Sequence, residues 1–280
     1  MNIIRTVAQL REKQRERPRG ARVGFVPTMG ALHEGHVALM RAARGESDEV
    51  VASVFVNPTQ FNDPSDLAKY PRQEARDAEL CREAGVDTLF VPSVEEMYPD
   101  DLATSITIGG PALGFEGDHR PGHFNGVAIV CLKLFSIVLP TVAYFGQKDA
   151  QQVAVLRQLV RDTNLPLEIR VRPTVRAASG LALSSRNARL SPDEMARALA
   201  IPRALMAGLV AHQHGADPVA AARPLLSGLD VEYLGIAQFH GEPTLVVAAR
   251  AGATRLIDNV PLNDPALAGL PVVVTSPASR

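Results

Sequence analysis

Two histidines bracket a glutamate and a glycine in Pro27-Thr-Met-Gly-Ala-Leu-His-Glu-Gly-His36, directly after the apolar run Arg22 to Val26. His33 and His36 are three residues apart, so on a helix they project from the same side of the first turn. Free backbone N–H groups and the helix dipole at such a turn favour an anion, such as a triphosphate. Gly30 and Gly35 would let phosphate oxygens approach the backbone. The imidazoles could donate hydrogen bonds to phosphate as charge moves onto departing pyrophosphate. A zinc-protease reading needs His-Glu-x-x-His, one residue longer than the spacing here. Ordinary polar residues at a helix start are the plainer alternative.

Four further strings follow the same logic of chemistry placed where an element ends. Gly146-Gln-Lys-Asp-Ala-Gln-Gln152 comes straight after the apolar run Val142 to Phe145. It would deliver Lys148 as a point charge for phosphate, with Asp149 as helix N-cap or ribose partner; a solvated Lys-Asp pair is the competing reading. Leu183-Ser-Ser-Arg-Asn187 offers two hydroxyls and a guanidinium in a loop that could close over a triphosphate, or serve only as a polar linker. Ser53-Val-Phe-Val-Asn-Pro-Thr-Gln-Phe61 places Asn57 and Gln60 past an apolar strand. Amides there can orient a hydroxylated or carboxylated substrate without adding charge, although structural caps are common at such edges. Glu116-Gly-Asp-His-Arg-Pro-Gly-His-Phe-Asn-Gly126 reads as a lid or as a tight entry to a long helix.

The elements that must position these strings alternate along the first 170 or so residues. Strands are expected at Arg22 to Val26, Val50 to Val56, Thr88 to Val91, Val142 to Phe145 and Leu167 to Val171. Helices are expected at His33 to Arg44, Leu67 to Ala84 with Leu67, Leu80 and Ala84 facing inward, Gly126 to Val138, and Ala150 to Asp162. Continuous apolar strands separated by helices indicate a parallel sheet covered on both faces, a doubly wound α/β domain that binds ligands at the carboxyl ends of its strands. Residues 1–174 read as this domain and 175–280 as a smaller α+β domain. The second begins after Pro173, where periodicity is lost, and its first helix is signalled by Ser191, Pro192 and Glu194, close to a capping box. Its strand candidates are Val231 to Ala237, Leu245 to Ala249 and Thr254 to Asn259; Thr275 to Arg280 reads as a frayed tail.

Composition narrows the partners. The chain has 280 residues, 46% of them hydrophobic, with 29 basic against 30 acidic side chains. That balance argues against nucleic acid or a membrane surface as the main partner and for a small molecule. Two cysteines, Cys81 and Cys131, do not make a disulfide framework, and Cys131 in an apolar run reads as a small buried hydrophobe. The charged run Arg11 to Arg19 reads as helix rather than leader. Lys133 and Pro140 interrupt the longest apolar stretch, Val127 to Phe145, which therefore reads as core. A cytosolic location is expected.

Taken in order, these strings resemble the pantoate–β-alanine ligase family of the nucleotidylyltransferase superfamily. The first resembles a HIGH-type ATP signature, and Leu-Ser-Ser-Arg-Asn resembles that family's equivalent of a KMSKS loop. The resemblance implies a Rossmann-like sheet domain followed by a smaller lid domain. It also implies ATP with Mg²⁺, and a pantoyl adenylate that β-alanine attacks with release of AMP. Adenylation of a phosphorylated coenzyme precursor is the alternative. Carried over residue by residue, Met29, Gly30, Ala31, Leu32, His33, Glu34, Gly35 and His36 would line the ATP site. Gly146, Gln147, Lys148, Asp149, Val175, Leu183, Ser184, Ser185 and Arg186 would complete it, with His33, His36, Lys148 and Arg186 on the phosphates. Asn57, Gln60 and Gln152 would serve pantoate and β-alanine, and a homodimer is implied. No metal-binding protein residue is assigned. Ser179, Thr141 and Ala150 depart from the family pattern, where an acidic residue, an aspartate and an aromatic are usual.

Overall fold

The computed structural model describes residues 1–239 and 241–263. Two compact units emerge: one comprises Met1–Val175 with Leu183–Ser185, the other Arg176–Ala182 and the chain from Arg186 onward. The C-terminal tail from Thr275 lies outside the described residues.

In the first unit the strands β1 (Asn2–Ile4), β2 (Val23–Thr28), β3 (Glu49–Val54), β4 (Thr88–Phe90), β5 (Val142–Gly146) and β6 (Glu168–Arg172) form one sheet. Their order is β1-β4-β3-β2-β5-β6, with every neighbouring pair parallel. The helices are α1 (Val7–Arg15), α2 (Glu34–Glu46), α3 (Pro64–Ala68), α4 (Glu74–Glu83), α5 (Val94–Met97), α6 (Glu116–His119), α7 (His123–Val138) and α8 (Ala150–Asp162). Successive side chains of a strand point to opposite faces, so a strand covered on both sides must be apolar throughout. Phe25, Val51, Ala143 and Phe145 pack with Val127, Leu134 and Phe135 of α7 and Val153 and Leu156 of α8. Their neighbours Val26, Val50, Ala52, Val142 and Tyr144 pack on the other face with Val37 and Met40 of α2 and Ala78 and Cys81 of α4.

The chain runs from β2 to β3 and β4 on one side, then returns to place β5 on the other flank of β2. Such a reversal leaves a crevice outside the carboxyl ends of the strands on either side of it. The strings after β2, β3 and β5 therefore leave neighbouring strands at one sheet edge.

The structure departs from the sequence reading in three places. The expected helix Leu67 to Ala84 is two helices, because Pro71 lacks an N–H and disfavours helical backbone at the residue before it. Its inward positions are Asp77, Ala78 and Cys81, with Ala84 buried at the C-cap, while Leu67 and Leu80 are only half-buried. The first helix starts earlier than the charged run, at a capping box between Thr6 and Gln9, and the short edge strand β1 precedes it. The long helix likewise begins at His123, before Gly126.

The second unit contains an antiparallel sheet of β7 (Asp230–Phe239), β8 (Glu242–Ala251) and β9 (Thr254–Pro261) with helices α9 (Pro192–Ala198), α10 (Ala200–Gln213) and α11 (Pro218–Ala222). Leu205 and Leu209 of α10 pack on Leu245, Val247 and Leu256. Ser191 and Glu194 form the full capping box that the sequence suggested.

Gly126 sets how closely α7 approaches the turn after β3. A Cβ there would lie 2.3 Å from the carbonyl oxygen of Thr59 and 2.8 Å from the nitrogen of Gln60. Gly126→Ala is expected to lower stability by about 1–3 kcal/mol through overpacking. Gly45→Ala in α2, where a Cβ meets nothing within 4 Å, is expected to raise it by up to about 1 kcal/mol. Urea melts of the two variants check this, and a loss of the same size in both would refute the packing account.

Candidate active site

The start of α2 is closed by its own histidines. His33 is the N-cap, with the Gly35 N–H donating to its Nδ1 at 3.1 Å, while His36 reaches back to accept from the His33 N–H at 3.3 Å, also through Nδ1. The ring centroids lie 4.2 Å apart. An Nδ1 that accepts leaves the hydrogen of a neutral imidazole on Nε2. Both rings therefore present an Nε2–H, and neither has a protein acceptor among the described residues. Burial lowers the pKa of both. Lys148 is the next cause for His33, and for His36, held down to about 3, the next is His33. The pair consists of neutral donors at neutral pH.

The glycines and N–H groups of this string also serve the protein's own bonding. Gly30 (φ +82°) and Ala31 (φ +50°) both lie in the left-handed region. The N–H groups of Ala31 and Leu32 donate to the buried carboxylate of Asp77 on α4 at 3.0 and 2.8 Å, and the Gly30 N–H donates to Thr28 Oγ1 at 3.2 Å. A Cβ on Gly30 would lie 2.9 Å from Asp77 Oδ2, and one on Gly35 2.9 Å from Cε1 of His33. The glycines thus admit a carboxylate and a folded-back imidazole. The N–H groups of Gly30, Ala31, Leu32 and Gly35 are bonded within the protein. Leu32 is a core side chain, and Glu34 turns outward to Arg41 at 2.7 Å. Asp77 was missed in the sequence, where it is one acid in a charged helix far along the chain.

The loop after β5 brings Lys148 and Asp149 together at 3.4 Å, with the lysine largely buried. Both act electrostatically on His33 and His36, so the loops after β2 and β5 share one locus. Asp149 occupies the N-cap position of α8, but its side chain makes no capping hydrogen bond. After β3, Asn57 and Gln60 are buried in a single turn. Asn57 donates to Gln60 Oε1 at 2.9 Å and to the Gly126 carbonyl at 3.1 Å, and accepts from Tyr98 Oη at 2.8 Å and Thr59 Oγ1 at 2.9 Å. The Asn57 amide is thus engaged in holding Gln60. Gln152, on the first turn of α8, is half-buried.

Among the later residues, the Leu183 N–H donates to the Val175 carbonyl at 2.9 Å within the first unit, which also holds Ser184 and Ser185. Arg186 belongs to the second unit, in the turn Ser185–Arg189. Of the departures, Thr141 Oγ1 accepts from the Val23 N–H at 2.9 Å, Ala150 is buried where α8 begins, and Ser179 is exposed. Among the described residues no group of three or more His, Cys, Asp or Glu could hold a metal ion, and no helix is long and apolar enough to cross a membrane.

A parallel sheet with paired neutral imidazoles and a lysine at its switch point defines a nucleotide-binding enzyme of the doubly wound α/β class. The family model for pantoate-beta-alanine ligase matches residues 2–261. The chain is 47% identical to the pantothenate synthetase of Cereibacter sphaeroides (strain ATCC 17029), covering 93% of this chain and 99% of that protein. It is 48% identical to that of Rhizorhabdus wittichii, covering 93% and 98%. The pantothenate synthetase structure from Thermus thermophilus superposes with a TM-score of 0.88 at 46% identity, covering 94% of this chain and 99% of that one. The Francisella tularensis ligase, complexed with "Beta-gamma ATP" and β-alanine, superposes at 0.82 with 37% identity, covering 94% and 98%. The chain belongs to the pantoate–β-alanine ligase family and is an ATP-dependent ligase. Adenylation of a phosphorylated coenzyme precursor is not favoured.

Two measurements test this geometry. A histidine whose folded pKa lies below its unfolded value takes up its proton only on unfolding, so stability is full above about pH 6.5 and falls as pH drops toward 3. The slope reaches at most about 1.4 kcal/mol per pH unit for this one group. His36→Gln keeps an N3 acceptor for the His33 N–H but no titrating ring, so its urea stability is expected to fall less between pH 6.5 and 4.5. An unchanged acid slope would refute the assignment. Asp77→Asn places an amide N–H against one of two backbone donors and is expected to lose about 1.5–3 kcal/mol; a melt at the wild-type midpoint would show that the turn holds without it.

Proposed function

We propose that the Nε2–H groups of His33 and His36, with the ammonium of Lys148, receive the phosphates of ATP, and that Asp149 meets the ribose. The observation that carries this reading is the pair of Nε2–H donors left without a protein acceptor where β2 and β5 part. Met29, Val175, Leu183, Ser184 and Ser185 complete the nucleotide contacts, and Arg186 supplies a second charge to the phosphates, on the resemblance of its string. Gln60 and Gln152 hold pantoate by their amides. Magnesium enters as part of the substrate, MgATP, where it offsets phosphate charge. The enzyme works as a cytoplasmic homodimer, again on the family resemblance.

The reaction follows from a physical difficulty. A carboxylate resists attack because of its resonance, and hydroxide is a poor leaving group. Adenylation replaces that leaving group with AMP, and pantoyl adenylate is then open to the amine of β-alanine. Both reactants of the first step are anions, so Lys148, Arg186 and the α2 dipole offset their repulsion, while the neutral imidazoles donate to the departing pyrophosphate. In-line placement contributes several kcal/mol more, out of the roughly 7–11 that ideal positioning can supply.

Pantoate-dependent ATP–pyrophosphate exchange, measured without β-alanine, tests the scheme directly. Exchange is expected; ATP binding without exchange would overturn the adenylate route. Lys148→Ala is expected to slow adenylation by roughly two to three powers of ten, as loss of a transition-state donor does, and a near wild-type rate would remove it from the phosphate site. Gln60→Ala is expected to act mainly on KM for pantoate.

A further inference from the structure

Two side chains of the string Arg120-Pro-Gly-His-Phe124 converge on one atom. Nδ1 of His123 lies 2.8 Å from the backbone carbonyl oxygen of Gln60, and Nη2 of Arg120 donates to the same oxygen at 3.2 Å. Nη1 of Arg120 sits 3.1 Å from Nε2 of His123. An arginine can only donate, so Nε2 accepts and the ring hydrogen is on Nδ1, pointing at Gln60. His123 is thereby a neutral donor with the opposite tautomer to His33 and His36. Burial first, and Arg120 second, push its pKa down to about 4.

Gln60 is consequently held at two points. Its backbone oxygen is gripped by His123 and Arg120, and its side-chain oxygen accepts from Asn57. With Oε1 fixed, the orientation of the amide is set, and its Nε2 is the group left to meet a ligand. The grip extends further through the chain. Glu116 lies 3.9 Å from Arg120, and its N–H donates to Oε1 of the buried Gln151 at 3.0 Å. The Gln151 amide in turn donates to the carbonyls of Pro111, Leu113 and Gly114. Gln151 precedes Gln152 on α8, so contacts running from Gln60 through Arg120 and Glu116 reach the residue next to Gln152.

We propose that His123 is a positioning residue for pantoate, which with Arg120 fixes Gln60 through its backbone carbonyl without touching the substrate. This rests on the assignment of Gln60 to pantoate, so the test includes Gln60→Ala beside His123→Leu, His123→Asn and Arg120→Met in the full-length chain. The readouts are KM for pantoate and for ATP in pyrophosphate exchange, and the melting temperature. His123→Leu removes the donor and is expected to raise KM for pantoate about tenfold to a hundredfold, with KM for ATP within about twofold. His123→Asn keeps an N–H donor near the position of Nδ1, and is expected to bring the pantoate KM back to within about threefold of wild type. Arg120→Met leaves the ring in place and is expected to raise the same KM by about threefold to tenfold; it keeps the test open if the leucine variant does not fold.

A wild-type pantoate KM in His123→Leu, with Gln60→Ala impaired, overturns this inference and leaves Gln60 in its role. An unchanged KM in Gln60→Ala overturns the assignment of Gln60 and the role of His123 with it. A parallel rise in both KM values with a lowered melting temperature, not rescued in His123→Asn, assigns His123 to structure alone and also overturns the inference.

Discussion

The backbone N–H groups of Gly30, Ala31, Leu32, His33 and Gly35, around the start of α2, are bonded by the protein itself, and that constraint shapes what the site presents. Asp77 takes the N–H groups of Ala31 and Leu32, and the two imidazoles take those of Gly35 and His33. A helix start usually attracts anions through these groups. Here the donors are passed outward instead: each imidazole accepts a backbone hydrogen on one nitrogen and exposes its own on the other. The arrangement needs two consecutive left-handed residues, Gly30 and Ala31, which are costly for a residue with a side chain unless the surroundings compel them. The buried Asp77 carboxylate supplies that compulsion, so a residue on α4 determines what the ends of β2 and α2 can present.

Much of the architecture was legible because it follows from period and punctuation. Runs such as Val50 to Val56 are apolar on both faces because both faces are covered, and three of the chemistry-bearing strings lie where such a run ends. His33 and His36 could be assigned to a helix start by spacing, and Ser191 with Glu194 by capping. What spacing could not show was which groups bond one another across the chain. Asp77 and Ala31 are far apart in sequence, and an aspartate in the run Glu74-Ala-Arg-Asp-Ala-Glu looks like any solvated helical charge. Likewise nothing in the sequence reveals that Tyr98 and the Gly126 carbonyl complete the bonding of Asn57. The break at Pro71 is legible in the proline itself, although the helical pattern of Leu67, Leu80 and Ala84 runs across it.

The three imidazoles of the first unit's site bear on the second half of the reaction, where the amine of β-alanine must attack as the free base. An alkyl ammonium has a pKa of about 10 in water, so something must remove or disfavour its proton. A neutral imidazole accepts a proton through its bare nitrogen. In His33 that nitrogen holds the Gly35 N–H, in His36 the His33 N–H, and in His123 the Arg120 guanidinium. Protonating any of them breaks a bond that organises the site, which is consistent with all three pKa values lying below that of a free histidine. None is poised to serve as a base. In the proposed reaction, desolvation of the bound amine would favour its neutral form without a base from any of these rings.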